Sequence, residues 1–397
     1  MRSSLRLGSF GFLLWSGLLT ACQQDPALTD GMFTDAEMAT IRAMGPLPAP
    51  DPDPTNRYAN DSKVALFGQK LFFDPGYSGA IVVGNDGTNG GLGAKGETGK
   101  VSCRSCHLGD WMIDTRSMPN GTSLGIDWFI RNSPSLVNVT YYTTQFGWVG
   151  YNDDLWGKCL IPAEFVMGTD RSGIVHYLYK KYKADYNALF SPALSDSLDP
   201  AAPDAARFPM SATPIGGTGP SGIAWKGMTA ADQDVINRAY ANFGKSLAAY
   251  LRQLVSRNSP FDRYVGGDLT AIGASAKRGL KLFIGKAACN ACHSGMNFTD
   301  EKFHNTGVPQ VGAHVLGPPD YDSGRYGGID VYRDWDFKAQ GQYSDDRTVK
   351  RDPIPAAGQV DTKLKGAFRT KGIRNVAMTA PYMHTGHIGT LKEVVQF

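Results

Sequence analysis

The chain has 397 residues, 42% hydrophobic and 19% charged, with 40 basic and 37 acidic side chains for a net charge of +3. That balance excludes a nucleic-acid footprint and gives no reason to expect a polyanionic partner. Six cysteines exclude a disulfide-dense scaffold, 47 glycines and 23 prolines mark a loop-rich but globular body, and the length predicts two domains, at most three.

The N-terminus reads as a targeting segment. Arg2 and Arg6 precede an apolar run over residues 10–19 that is too short to span a bilayer. The run ends Leu19-Thr20-Ala21-Cys22, similar to a bacterial lipobox, which implies cleavage before Cys22 and lipidation of its thiol. An ordinary signal peptide cleaved near Ala21 is the competing reading. The lipid would be the body's only hold on a membrane, with the outer membrane favoured over the inner because Gln23, not Asp, follows Cys22.

Residues 23–57, rich in Pro, Asp and Ala, read as a tether. Helical spacing of apolar residues predicts a helix over 58–73, and nine glycines over 76–100 predict an irregular insertion. Residues 101–190 open with a Cys pair and close with a helix over 172–190. Residues 191–226 read as a second loop, Thr229 caps a helix running to about Ser256, and residues 274–293 form a helix carrying a second Cys pair. Residues 306–365 look loop-like, and a short helix begins near Thr390.

Gly68-Gln69-Lys70-Leu71-Phe72 and Gly279-Leu280-Lys281-Leu282-Phe283 stand 211 residues apart, and the Cys pairs that follow them 186 apart. Two diverged copies of one helical module, the first carrying the Gly-rich insertion, explain both spacings.

Each Cys pair is completed by a histidine: Cys103-Arg104-Ser105-Cys106-His107 and Cys289-Asn290-Ala291-Cys292-His293. Thiols three apart on a helical turn reach both vinyl groups of one porphyrin, and the adjacent imidazole binds its iron. A thioredoxin-like dithiol would need a βαβ setting, and a zinc ribbon has its pairs about 15–20 residues apart. Two simple disulfides leave the histidines without a role. The motifs therefore predict two covalent c-type haems.

With these motifs placed, the chain resembles the bacterial di-haem cytochrome c peroxidase and MauG family. The likeness rests also on residues 66–75 (LFGQKLFFDP), 131–138 (RNSPSLVN), 254–264 (LVSRNSPFDRY), 276–283 (AKRGLKLF), 298–309 (FTDEKFHNTGVP), 322–326 and 368–395. It implies a mainly α fold of two cytochrome c-like haem domains with long irregular loops, residues 58–255 carrying the peroxidatic haem and 256–397 the electron-transfer haem.

The resemblance further implies that His107 and His293 are the proximal ligands. Many relatives carry a distal His about sixteen residues after the first; residues 119–128 hold none, which implies an open or water-bound site. Where the family has its general base, just before a Met-Gly pair, this chain has Val166, so Glu164 is the nearest acid and the candidate base, a surface Glu being the alternative. Lys158 stands where a Gln is common. Trp148 matches the tryptophan that passes electrons between haems, unless it is a core aromatic. Asn132, Thr379 and Pro381 match the oxygens that hold a calcium between the domains, an ion suited to hard oxygen donors. His384 and His304 match motif histidines near the second haem, and Cys159 is left as a buried free thiol.

The family's distal ligand to the second haem lies fourteen residues after the His matched by His384, which would be position 398. The expectation is a second domain cut before its last helix, or a short form with an open second haem. The function implied is peroxide reduction to water with electrons from a small c-type cytochrome or cupredoxin. The rivals are MauG-like oxidation of aromatic residues in a partner protein and a non-catalytic di-haem carrier. Homodimers are common in the family.

Overall fold

The computed structural model describes residues 28–83, 91–114, 122–312, 314–316 and 320–397. Cys22 and its signal segment lie outside the described residues. Among those described, ten α-helices and one two-stranded sheet form two packed modules, and no helix is long and apolar enough to cross a membrane.

Residues 28–57 are not a free tether. α1, Asp35–Arg42, is closed by a capping box between Thr34 and Glu37 and buries Met38 and Ile41. With Phe33 and Met44 it forms a small core against Tyr264, Leu280 and Phe283 of the second module. The strap then crosses to the first module, where Asn56 donates to the Lys245 carbonyl at 3.1 Å and Thr55 Oγ1 accepts from Trp156 Nε1. Composition suggests a tether; four apolar side chains spaced for burial, Phe33, Met38, Ile41 and Met44, override it.

α2, Ser62–Phe73, starts on an Asp61 cap and buries Val64, Phe67, Gly68, Leu71 and Phe72. Three further helices complete the first core: α3 (Leu155–Phe165, capped by Asp154), α4 (Arg171–Leu189) and, after the short α5 (Pro220–Gly227), α6 (Ala230–Leu251). Thr229 caps α6 as expected, but the helix stops at Leu251 rather than near Ser256. A Cβ on Gly68 would fall 1.8 Å from the Ser246 carbonyl, so α2 and α6 cross in backbone contact that only glycine permits.

The second module holds α7 (Pro260–Val265), α8 (Ala274–Ile284), α9 (Arg325–Asp334) and α10 (Leu391–Gln396), the last closed by Thr390 and Glu393. β1 (Phe303–His304) pairs antiparallel with β2 (Phe368–Arg369), Phe303 opposite Arg369. α8 ends before the second Cys pair, which sits on its own 3₁₀ turn. The division at residue 255 also needs amending: Trp335, Phe337 and Tyr343, in a stretch that reads as loop, belong to the first core.

The modules are stitched by residues 131–150. Arg131 makes a buried bidentate pair with Asp322 (2.6 and 2.7 Å), Asn132 N donates to His384 O (2.8 Å), and Trp148 O accepts from Arg369 N (2.8 Å).

Candidate haem sites

Both motifs fold alike. Cys103–Ser105 and Cys289–Ala291 are 3₁₀ turns in which the amide of the following histidine donates to the first cysteine's carbonyl, at 3.1 and 2.9 Å. Each imidazole then uses Nδ1 on a carbonyl five residues ahead, His107 on Met112 O at 3.0 Å and His293 on Phe298 O at 3.1 Å. A carbonyl only accepts, so Nδ1 carries the proton and Nε2 keeps its lone pair for a metal. Met112 and Phe298 both hold left-handed backbone (φ 49° and 52°), which turns their carbonyls back to the rings. No glycine marks this repeat in the sequence.

The first motif opens into an apolar cavity of about 250 Å³ whose lining includes Cys103, Cys106, His107, Trp148, Lys158 and Lys371. Burial pulls the His107 imidazole down to about 4 and pushes the Cys103 thiol up to about 11. Burial also lowers Lys158 to about 8 and Lys371 well below the lysine range, the latter helped by the neighbouring Arg369 and Lys158 charges. Arg369 is itself buried, with an ion pair to Glu301 at 3.0 Å but no aligned hydrogen bond on Nε, Nη1 or Nη2. Buried cations without enough acceptors beside an apolar cavity with two thiols and an imidazole fit a haem, an apolar macrocycle with anionic propionates.

Trp148 lines this cavity, donates Nε1 to Asn132 O at 2.8 Å, and lies edge-on to His384 at 6.3 Å. His384 stacks on Phe368 at 3.5 Å, and burial holds its imidazole down at about 4 with Nε2 unbonded. Trp148 is thus placed between the first cavity and the second module.

Glu164 is not in the cavity. Lys158, Ile161, Pro162 and Phe165 share the face of α3 that lines it, and residue 164 falls on another face. Its carboxylate is fully buried, accepting from Thr213 Oγ1 at 2.6 Å and paired with Arg171 Nη2 at 3.3 Å. Arg171 is ringed by Trp225, Tyr240, Trp335 and Phe337. The expected general base is therefore half of a structural ion pair, and the ionisable groups that α3 presents to the cavity are Lys158 and Cys159.

Asn132 is buried beside His384, and its Nδ2 lies 3.4 Å from Asp114 O. Thr379 Oγ1 donates to Val376 O, and Pro381 follows on the same loop. His304 pairs with Asp300 at 2.7 Å; with Cys292 they form a metal-type cluster, but its thiol belongs to the second haem motif. Cys159 lines the first cavity, and burial raises its pKa.

The family model for the di-haem cytochrome c peroxidases matches residues 61–270. A cytochrome-c peroxidase of Denitromonas iodatirespirans is 31% identical over 367 residues, 90% of this chain and 78% of the relative. The methylamine utilization protein MauG of Methylorubrum extorquens is 29% identical over 90% of this chain and 74% of its own. Among solved structures, the diheme peroxidase BthA of Burkholderia thailandensis superposes with a TM-score of 0.55 at 20% identity, over 87% of this chain and 74% of that one, a likeness of fold.

Proposed function

Because the chain belongs to the di-haem cytochrome c peroxidase family, whose members carry two c-type haems, we propose that it reduces hydrogen peroxide to water at the first site. Two electrons arrive singly at the second site from a small c-type cytochrome or cupredoxin. Bound haem would supply the iron for peroxide reduction and for electron relay.

The chain's own residues do the rest. Cys103, Cys106 and His107 would hold the first haem, and Cys289, Cys292 and His293 the second. Met112 O and Phe298 O orient the imidazoles. Trp148 bridges the first cavity and His384 for electron passage. Lys158, lowered to about 8 by burial, can exchange a proton with bound peroxide near neutral pH from its Nζ. Arg369 and Lys371 would neutralise propionates. Asn132, Thr379 and Pro381 would hold a calcium at the module boundary, and Cys22 would tie the body, as a monomer or homodimer, to the periplasmic face of a membrane.

The observation that carries the reading is the apolar cavity joining the first motif, Trp148 and Lys158. The test is peroxide turnover by the full-length, haem-loaded protein with a reduced c-type cytochrome. Consumption coupled to cytochrome oxidation is expected; none above a His107→Ala control overturns the reading. The likeness to MauG supports a second reading, oxidation of aromatic residues in a partner protein. Peroxide consumption that leaves the cytochrome reduced would favour it.

A further inference from the structure

A row of tyrosines beside the first motif takes no part in that chemistry. Tyr77 is 4% exposed; its hydroxyl donates to Leu71 O at 3.0 Å and lies 3.8 Å from Cys103 Sγ, the atom that would carry a haem thioether. Its ring stands edge-on to Tyr177 at 5.9 Å, and Tyr177 stands edge-on to Tyr182 at 6.3 Å. The row leads from the haem motif to two half-buried rings beside the exposed Lys181.

The two outer phenols share one carboxylate. Tyr177 Oη donates to Asp74 at 2.9 Å and Tyr182 Oη to the same carboxylate at 2.8 Å. Lys181 Nζ bonds Asp74 at 2.8 Å and Tyr177 Oη at 3.1 Å. Residues five apart on a regular helix point about 140° apart. Here α4 breaks at Tyr182 (φ −125°, ψ 15°), which lets both phenols converge. Gly76 makes room for them, since a Cβ there would fall 2.0 Å from Tyr177 Oη. Burial pushes Asp74 up, but Lys181, the Gly76 amide and the two phenols outweigh it and hold the carboxyl below its usual range, so it stays ionised and able to accept.

A phenol gives up an electron readily only if its proton leaves with it, and a carboxylate already bonded to the hydroxyl takes that proton without rearrangement. We propose that Tyr77, Tyr177 and Tyr182 form a second electron route to the first haem, through which small electron-rich phenols are oxidised at the surface while Asp74 takes the tyrosine proton. The inference rests on the peroxide reading. Tyr177 or Tyr182 passes an electron inward past Tyr77 and its proton to Asp74, leaving a neutral tyrosyl radical. A phenol in solution returns the electron, Asp74 returns the proton, and the phenol's own proton goes to solvent. Two such events balance one peroxide: H2O2 + 2 ArOH → 2 H2O + 2 ArO•, with protons drawn back at the haem. Asp74 and Gly76 act here as positioning residues.

The test uses the full-length, haem-loaded protein mixed with peroxide and freeze-quenched for EPR, with guaiacol oxidation measured in parallel. A tyrosyl radical that sharpens on tyrosine ring deuteration is expected in the parent. It should vanish in Tyr177→Phe/Tyr182→Phe, with guaiacol oxidation, while peroxide-dependent oxidation of a reduced c-type cytochrome persists. Gly76→Ala, which leaves every tyrosine in place but drives Tyr177 off Asp74, should weaken both signals. A radical or guaiacol rate unchanged in the double variant overturns the route. A haem spectrum that responds to peroxide, with cytochrome oxidised but no tyrosyl radical, also overturns the route and leaves the peroxidase reading standing. A haem spectrum indifferent to peroxide removes both.

Discussion

The two modules carry the same motif in different surroundings. Around the first, α2 packs into α6 through Gly68, and the cavity wall is built by α2, α3, α6 and the 131–148 stretch. Around the second, α8 has the matching pentad but no buried residue; nothing lies within 4 Å of a Cβ on Gly279, and Leu282 is 54% exposed. Yet the turn, the imidazole hydrogen bond and the left-handed residue five positions on are identical in both. The turn is therefore a local structure, the same whether the helix before it is packed or exposed. The pocket is long-range, and the pocket sets the electrostatics: the depressed His107 and Lys158 and the raised Cys103 all trace to burial.

Experiments can break that contrast. The largest effect is expected at Glu164, which the first module uses to neutralise Arg171. Glu164→Gln should cost about 3–5 kcal/mol of stability by leaving a buried guanidinium underpaired, seen by denaturant unfolding. Turnover of the folded protein should hold. A general base would give the reverse, a loss of about 10²–10⁴ in rate with little change in stability. Next, Gly68→Ala should destabilise the first module by about 1–3 kcal/mol, because a methyl has no room against the Ser246 carbonyl. The matching Gly279→Ala should be neutral or stabilise by up to about 1 kcal/mol through helix propensity alone. Equal costs at both glycines would contradict the difference in packing.

The third effect is electrostatic. Lys158 is lowered to about 8 in the folded chain, against an unfolded value of about 10.4. Between those values the unfolded chain binds more protons, so the haem-free protein should gain stability as pH rises from about 8 to 10.4 and lose it as pH falls back. Lys158→Met should flatten that slope in thermal unfolding profiles across the window. A slope unchanged by the substitution would mean that Lys158 is hydrated rather than desolvated in the cavity.

These contrasts also explain what the sequence could reveal. The Thr229 cap, the helix beginning near Thr390, the repeated pentad and both haem motifs are local patterns, and the structure keeps them. The strap carrying α1 and the return of Trp335, Phe337 and Tyr343 to the first core are not local. Their partners lie about a hundred or more residues away, and their composition resembles loop. Glu164 departs from expectation for a subtler reason. Proximity in sequence to the Met167-Gly168 pair suggested the cavity, but the phase of α3 turns residue 164 away and brings Lys158 in. The tyrosine row was invisible because its links, Tyr77 to Tyr177 and both outer phenols to Asp74, span about a hundred residues.

On the proposed function, peroxide meets the protein at the first module, where His107 is the one histidine among the described residues lining the cavity. The direct measurement is ferric EPR of the fully haem-loaded protein, beside variants that lack one haem each. A high-spin signal that peroxide abolishes is expected, lost in Cys103→Ala/Cys106→Ala and kept in Cys289→Ala/Cys292→Ala. Two low-spin haems in every oxidation state, or a peroxide-sensitive signal that survives loss of the first haem, would contradict it.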